Sequence, residues 1–165
     1  MRDAQADDFD AILAVINDAA QAYRGVIPSG CYHEPYMSAE ELKSELESHV
    51  AFSVLEDEGR IVAVMGIQDK ADVALVRHAY TVTESQGRGF GTQLLHHLES
   101  LTAKPMLIGT WAAATWAIEF YRKNKYRVVS DQEKNSLLRK YWSVPDKQIE
   151  TSLVLVDNRW KEISE

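Results

Sequence analysis

The chain has a single cysteine, Cys31, so no internal disulfide can hold it together. A domain of 165 residues needs none, because at this length roughly 70% of the unfolded surface is buried on folding. No apolar run approaches the ~18 residues of a membrane span, and no signal-peptide pattern opens the sequence. A cytoplasmic protein with no membrane partner is expected. Basic charge is also short: 18 Lys and Arg stand against 25 Asp and Glu, a formal net charge of −7. That is the reverse of the basic footprint of a general nucleic-acid binder. Pro, Gly and Ser never gather into a linker, and no segment repeats, so residues 1–165 read as one domain. Hydrophobic residues, by contrast, make up 45%, with 26% charged, a globular composition rather than a disordered one.

Hydrophobic periodicity divides the chain into elements. The opening "MRDA" reads as a short edge strand. A helix follows, with Asp7 or Asp8 as N-cap and Phe9, Ile12, Leu13, Ile16, Ala20 and Tyr23 on one face. "RGVIPSGCYHEPYM" is a loop, and a second helix starts at Ser38, with Glu41 completing a capping box and Leu42 and Leu46 as its stripe. Three strands come next: "VAFSVLE" from Val50, "RIVAVMGIQ" from Arg60 and "ADVALVRHAYTV". The first two are joined by the hairpin signal "DEG". A third helix begins near Gly89 and runs through Leu101. The strand "PMLIGTW", a helix from Thr115, the strand "YRVVS", a helix capped by Ser130 with Glu133, and the strand "QIETSLVLVD" complete the chain. The order predicts a mixed α/β sheet with helices on both faces. Its three middle strands form an antiparallel meander, and a right-handed parallel unit runs from Val73 to Trp111.

Between a strand and the third helix stands "QGRGFG", Gln86 to Gly91, with glycine at every second position. A helix N-terminus presents unpaired N–H groups and a partial positive charge, which suits phosphate. Glycine lets phosphate oxygens approach the main chain without a Cβ in the way. The segment therefore reads as a pyrophosphate cradle. A dinucleotide fingerprint needs G-x-G-x-x-G, and a Walker A loop needs Gly-Lys followed by Ser or Thr; neither is present.

The spacing Q-x-x-G-x-G, set between "ALVRHAYTV" and "TQLLHHL", resembles the acetyl-CoA-binding motif of the GNAT superfamily of N-acetyltransferases. A later stretch, Ala117-Ile118-Glu119-Phe120-Tyr121 followed by Arg122 to Tyr126, resembles the family's A-x-x-F/L-Y-x-x-x-G-F/Y. It departs at Lys125, where the family usually has Gly, and at Ala114, where it often has Asn. The first departure implies a changed helix C-cap, and the second removes a cofactor contact.

The resemblance implies a GNAT-like, mostly antiparallel twisted sheet with splayed central strands. It implies acetyl-CoA as acetyl donor, no metal, and a small-molecule amine as acceptor. The cofactor seat falls on Gln86, Gly87, Arg88, Gly89, Phe90, Gly91 and Thr92, mainly through main-chain N–H groups. Ala79, Tyr80 and Thr81 fall where the family's splayed strand binds pantetheine. Tyr121 falls at the position of the general acid for the departing thiolate, although it equally suits an aromatic core pair with Phe120. His78 is the candidate base that takes the amine's proton. His33 and Glu34 sit in the loop that lines the acceptor pocket in the family, and Trp111 and Trp116 are candidates for an aromatic wall against the acceptor, although either equally suits core packing.

Two alternatives stay open at this level. A non-catalytic acyl-CoA-binding sensor would share the cradle. A homodimer is as compatible as a monomer, with the apolar last strand "ETSLVLV" as the surface meeting a partner.

Overall fold

The computed structural model describes residues 1–161. Its centre is a seven-stranded sheet. The strands are β1 (Arg2–Asp3), β2 (Ala51–Asp57), β3 (Arg60–Lys70), β4 (Val73–Thr81), β5 (Met106–Trp111), β6 (Arg127–Val128) and β7 (Ser152–Val156). Their order across the sheet is β1-β2-β3-β4-β5-β7-β6. Only β4 and β5 are parallel. The expected meander is β2-β3-β4. Its first hairpin closes on Glu58 and Gly59, both at positive φ (52° and 78°), the geometry that matches the twist of the flanking strands.

The helices are α1 (Phe9–Ala19), α2 (Ala39–Glu47), α3 (Phe90–Ser100), α4 (Thr115–Lys123), α5 (Asp131–Tyr141) and α6 (Asp146–Glu150). Alternation along the strands sorts them onto two faces. On β4, Ala74 and Val76 share a core with Leu94, Leu95 and Leu98 of α3 and Tyr121 of α4. Val73 and Leu75 point the other way, onto Leu137, Leu138 and Tyr141 of α5. Beyond them on that face, Phe52 and Val54 of β2 pack on Ile12, Val15 and Ile16 of α1 and Leu42 of α2.

Both expected serine N-caps form, each as the serine half of a capping box without the reciprocal glutamate bond. Ser38 Oγ accepts from Glu41 N at 3.1 Å, and Ser130 Oγ from Glu133 N at 3.2 Å. Each cap contributes about 1 kcal/mol.

Several expectations change. Asp8 does not cap α1 with its side chain; its carboxylate accepts from Gln5 N at 2.7 Å and pairs with Arg2 at 2.7 Å, closing a 3₁₀ turn ahead of the helix. Leu46 and Leu101 continue their stripes in sequence but are exposed. "QIE" is not strand: it belongs to α6, and β7 starts only at Ser152. The last strand also has no open edge. It lies between β5 and β6 with Val154, Leu155 and Val156 fully buried, so its apolar residues are core rather than a partner surface.

Candidate active site

The parallel ladder between β4 and β5 is short. It joins Ala74, Val76 and the residue between them to Met106–Ile108, and then stops. Beyond it β4 follows β3 to Thr81, while β5 follows β7 to Trp111. The two central strands therefore splay apart, and on that side β4 has no strand partner beyond Val76.

A bulge sits at the mouth of the gap. Val64 pairs with Tyr80 and Gly66 with Arg77, so His78 and Ala79 of β4 stand opposite Met65 alone. His78 takes φ 55°, a left-handed conformation that is rare and costly for a residue with a Cβ. Bulges of this kind re-aim side chains beside functional sites. Gly66 makes room for it: a Cβ there would lie 2.9 Å from the Arg77 carbonyl oxygen and 2.7 Å from Val50 Cγ1.

The gap opens into a cavity of ≈ 660 Å³. Its floor is Ala79, Tyr80 and Thr81, one end is the segment from Gln86 to Thr92 without Arg88, and α4 supplies a wall through Trp116, Ala117, Phe120 and Tyr121. Gly87 and Gly89 hold φ 80° and 83°, and added Cβ atoms there would meet nothing within 4 Å, so the openness is toward a ligand. Gly91 has a different task. A Cβ there would meet the Phe120 ring at 3.2 Å, so glycine lets α3 lie close to α4. Gly89 is the N-cap of α3 and supplies no side-chain cap. Among the described residues, no hydrogen bond takes up the N–H groups of Phe90, Gly91 and Thr92 at the helix's first turn.

These features fit coenzyme A: a bare, partly positive main-chain pocket for a diphosphate, leading to a slot with free strand groups for an amide-bearing arm. The Gln86 side chain ties the cradle back to β4, donating to the Thr81 carbonyl at 3.1 Å. Asp18, at the end of α1, accepts from Thr83 N at 2.7 Å and fixes the turn before the cradle. The Arg88 side chain turns away from the cavity, pairing with Asp57 at 2.8 Å and lying over the Phe90 ring at 4.7 Å.

Tyr121 lines the cavity while its ring is held edge-on by Phe120 and Tyr126, at 5.0 and 5.9 Å between centroids. It satisfies both readings of the sequence, as a core aromatic and as a cleft residue. Burial, and then the neighbouring Tyr23 hydroxyl, raise its phenol above the usual range, so it stays protonated at neutral pH.

A second cavity, ≈ 180 Å³, adjoins the first on the α2 and α5 side of the gap. Tyr23 and Tyr80 line both. Its other walls include Tyr36, Trp111, Trp142, Arg77 and His78. Trp111 Nε1 donates to the Tyr36 hydroxyl at 3.2 Å, which pins the loop after α1 against β5.

His78 Nε2 is buried and lies 3.2 Å from Glu45 Oε2 of α2, a close approach rather than an aligned hydrogen bond. Arg77 reaches the same carboxylate at 3.1 Å and donates to Gln68 Oε1 at 2.8 Å. The approach of His78, and after it the charge of Arg77, hold the Glu45 carboxyl below the ordinary carboxylate range against the opposing effect of burial.

His33 and Glu34 do not line either cavity. His33 Nδ1 meets the Pro35 carbonyl oxygen at 2.7 Å, and Glu34 pairs with Arg24 on the outside of the loop. The loop reaches the second cavity through Tyr36 instead. Tyr23, Trp142 and Glu45 are additions that the sequence did not single out as site residues. Trp116, a candidate aromatic wall beside Trp111 in the sequence, lines the larger cavity from the first turn of α4 and is 44% exposed.

Known proteins share this arrangement. Residues 48–128 match the family description "Acetyltransferase (GNAT) domain". No curated protein sequence matches the chain. Among solved structures, the PaiA N-acetyltransferase of Thermoplasma acidophilum in complex with coenzyme A superposes with TM-score 0.71 at 16% identity, over 94% of this chain and 96% of that one. The ribosomal-protein-S18-alanine N-acetyltransferase of Escherichia coli gives 0.66 at 15% identity, over 99% and 96%. The N-acetylglutamate synthase of Neisseria gonorrhoeae, complexed with coenzyme A and N-acetyl-glutamate, gives 0.63 at 17%, over 98% of this chain but 35% of that one. The motif, the splayed strands and the sheet order agree with that match, and the chain carries a GNAT acetyltransferase domain over residues 48–128.

Proposed function

We propose that the chain, as one domain, moves the acetyl group of acetyl-CoA to the amine of a small molecule by direct attack within a ternary complex. The observation that carries this reading is the unpaired N–H row of Phe90, Gly91 and Thr92 opening into the same cavity as the free edge of β4 and Tyr121. Acetyl-CoA supplies an activated thioester. The residues of the chain do the rest.

The segment from Gln86 to Thr92 binds the diphosphate through main-chain donors and the field of α3. The β4 edge at Ala79, Tyr80 and Thr81 pairs with the pantetheine arm. A main-chain N–H there polarises the thioester carbonyl as an oxyanion-hole donor. The acceptor enters the second cavity. His78 takes one proton from its ammonium, with Glu45 holding the ring in place; the neutral nitrogen forms the new C–N bond as the C–S bond breaks, its second proton passes to water as the amide forms, and water returns a proton to Tyr121 after turnover. Tyr121 donates its phenolic proton to the departing sulfur. Burial keeps that proton on Tyr121 until a thiolate develops beside it.

Incubating the chain with acetyl-CoA and an amine panel, and following free thiol together with product mass, tests the reading. Amine-dependent thiol release with a gain of one acetyl group on the amine supports it. Tight acetyl-CoA binding without turnover on any amine contradicts it and favours a sensor.

A further inference from the structure

The second cavity carries information about the acceptor. Its volume, ≈ 180 Å³, is only slightly larger than a cavity that holds benzene, about 150 Å³. It therefore accommodates one ring and a few further atoms. Five tyrosine and tryptophan side chains line it, Tyr23, Tyr36, Tyr80, Trp111 and Trp142. Among the described residues that line it there is no aspartate or glutamate, whereas Arg77 and His78 both do. The donor groups outnumber their partners. Trp142 Nε1 and the Gln148 side-chain amide have no hydrogen bond among the described residues. Arg77 spends two donors on Gln68 and Glu45, and its remaining guanidinium N–H groups are unpartnered.

We infer that the acceptor is a small amine of about one-ring size that also carries a carboxylate, such as an aromatic amino acid. The inference rests on the transferase reading and narrows it. The aromatic faces cover the ring, and the unpaired donors around Arg77 and Trp142 take the carboxylate. The amine is left to meet His78 and the junction at Tyr23 and Tyr80. A diamine or polyamine has no counter-charge here, and its second ammonium would lie beside Arg77. A polypeptide terminus is too bulky, since Tyr36 and Trp111 close the loop over this side through their hydrogen bond.

The test uses the intact chain, acetyl-CoA and matched acceptors: L-phenylalanine against phenethylamine, with putrescine and a tripeptide as further arms. The expected result is a kcat/KM for phenylalanine about ten- to a hundredfold above that for phenethylamine, the worth of a hydrogen bond to a charged group. Putrescine and the tripeptide fall below both. Arg77→Gln brings the phenylalanine-to-phenethylamine ratio toward one, and Arg77→Lys restores part of it. A preference for putrescine or the tripeptide, or a ratio near one in the unmodified chain, overturns the inference. Thermal protection by acetyl-CoA is read in parallel. If protection is present and the preference is absent, the acceptor class is wrong; if protection is absent as well, the transferase reading fails with it.

Discussion

The hydroxyls of Tyr23 and Tyr80 stand 3.4 Å apart, and the two rings form the partition between the larger and the smaller cavity. One comes from the turn that extends α1, the other from the end of β4. Thus the contact joining helix to strand also marks where donor and acceptor meet. Burial pushes the Tyr23 phenol up to about 12 and the Tyr80 phenol well above its ordinary value. Neither is a base at neutral pH. Tyr80→Phe should therefore leave the shape of the kcat/KM profile between pH 6 and about pH 9 unchanged, while altering KM for the acceptor. A lost limb in that profile would show that Tyr80 titrates in the reaction.

Tyr121→Phe keeps the ring that packs on Phe120 and Tyr126 and removes the proton donor. Turnover is expected to fall about 100-fold, at the lower end of general-acid contributions. The acetyl-CoA dissociation constant and the melting temperature should change little. Steady-state kinetics beside calorimetry separates these effects, and an unchanged kcat would return Tyr121 to a packing role.

Glu45 links the acceptor side to stability. Its carboxyl is held below its ordinary range, first by His78, so its folded-state value lies below its unfolded one. The stabilisation is complete above the unfolded value of about 4.3 and is lost as pH falls through the lower folded one. Glu45→Gln should flatten the acid side of the melting-temperature profile below about pH 5. It should also lower kcat, because the His78 ring loses its anchor. A profile identical to that of the unmodified chain would mean that the contact is inert.

At the end of α4, Lys125 takes φ 72°, with its N–H on the Arg122 carbonyl at 3.0 Å and the Tyr126 N–H on the Tyr121 carbonyl at 3.0 Å. This is a Schellman cap with lysine in the left-handed position that favours glycine. Lys125→Gly should stabilise the chain by about 1 kcal/mol, read as a raised denaturant midpoint at unchanged slope. Destabilisation would show that the lysine side chain does something there that outweighs the backbone cost.

The departure at Lys125 is a useful measure of what the sequence could reveal. The position was legible as a cap, because the motif around it is local, and the cap forms with the substituted residue. The cradle was legible for the same reason: Gly87, Gly89 and Gly91 lie within one turn, and their spacing encodes φ and close approach directly. The splay was implied only by the family resemblance. The acceptor side was harder. Tyr23, Tyr36, Glu45 and Trp142 come from separate elements and converge on His78 only through packing, so no spacing records them. His33 and Glu34 had the right chemistry on the right loop, but Arg24 and Pro35 hold them outside, and Tyr36 takes the inward place. The apolar pattern of the last strand marks burial correctly without revealing that β6 covers its far edge.

The central claim is that the main chain at the start of α3 holds the diphosphate of coenzyme A. Calorimetric titration of the purified chain with coenzyme A tests it most directly. The account predicts saturable heat at about one site per chain, weakened at least tenfold in Gly89→Val, whose branched side chain is strained at φ 83° and crowds the cradle. No heat with the unmodified chain, or binding that the substitution leaves untouched, would contradict it.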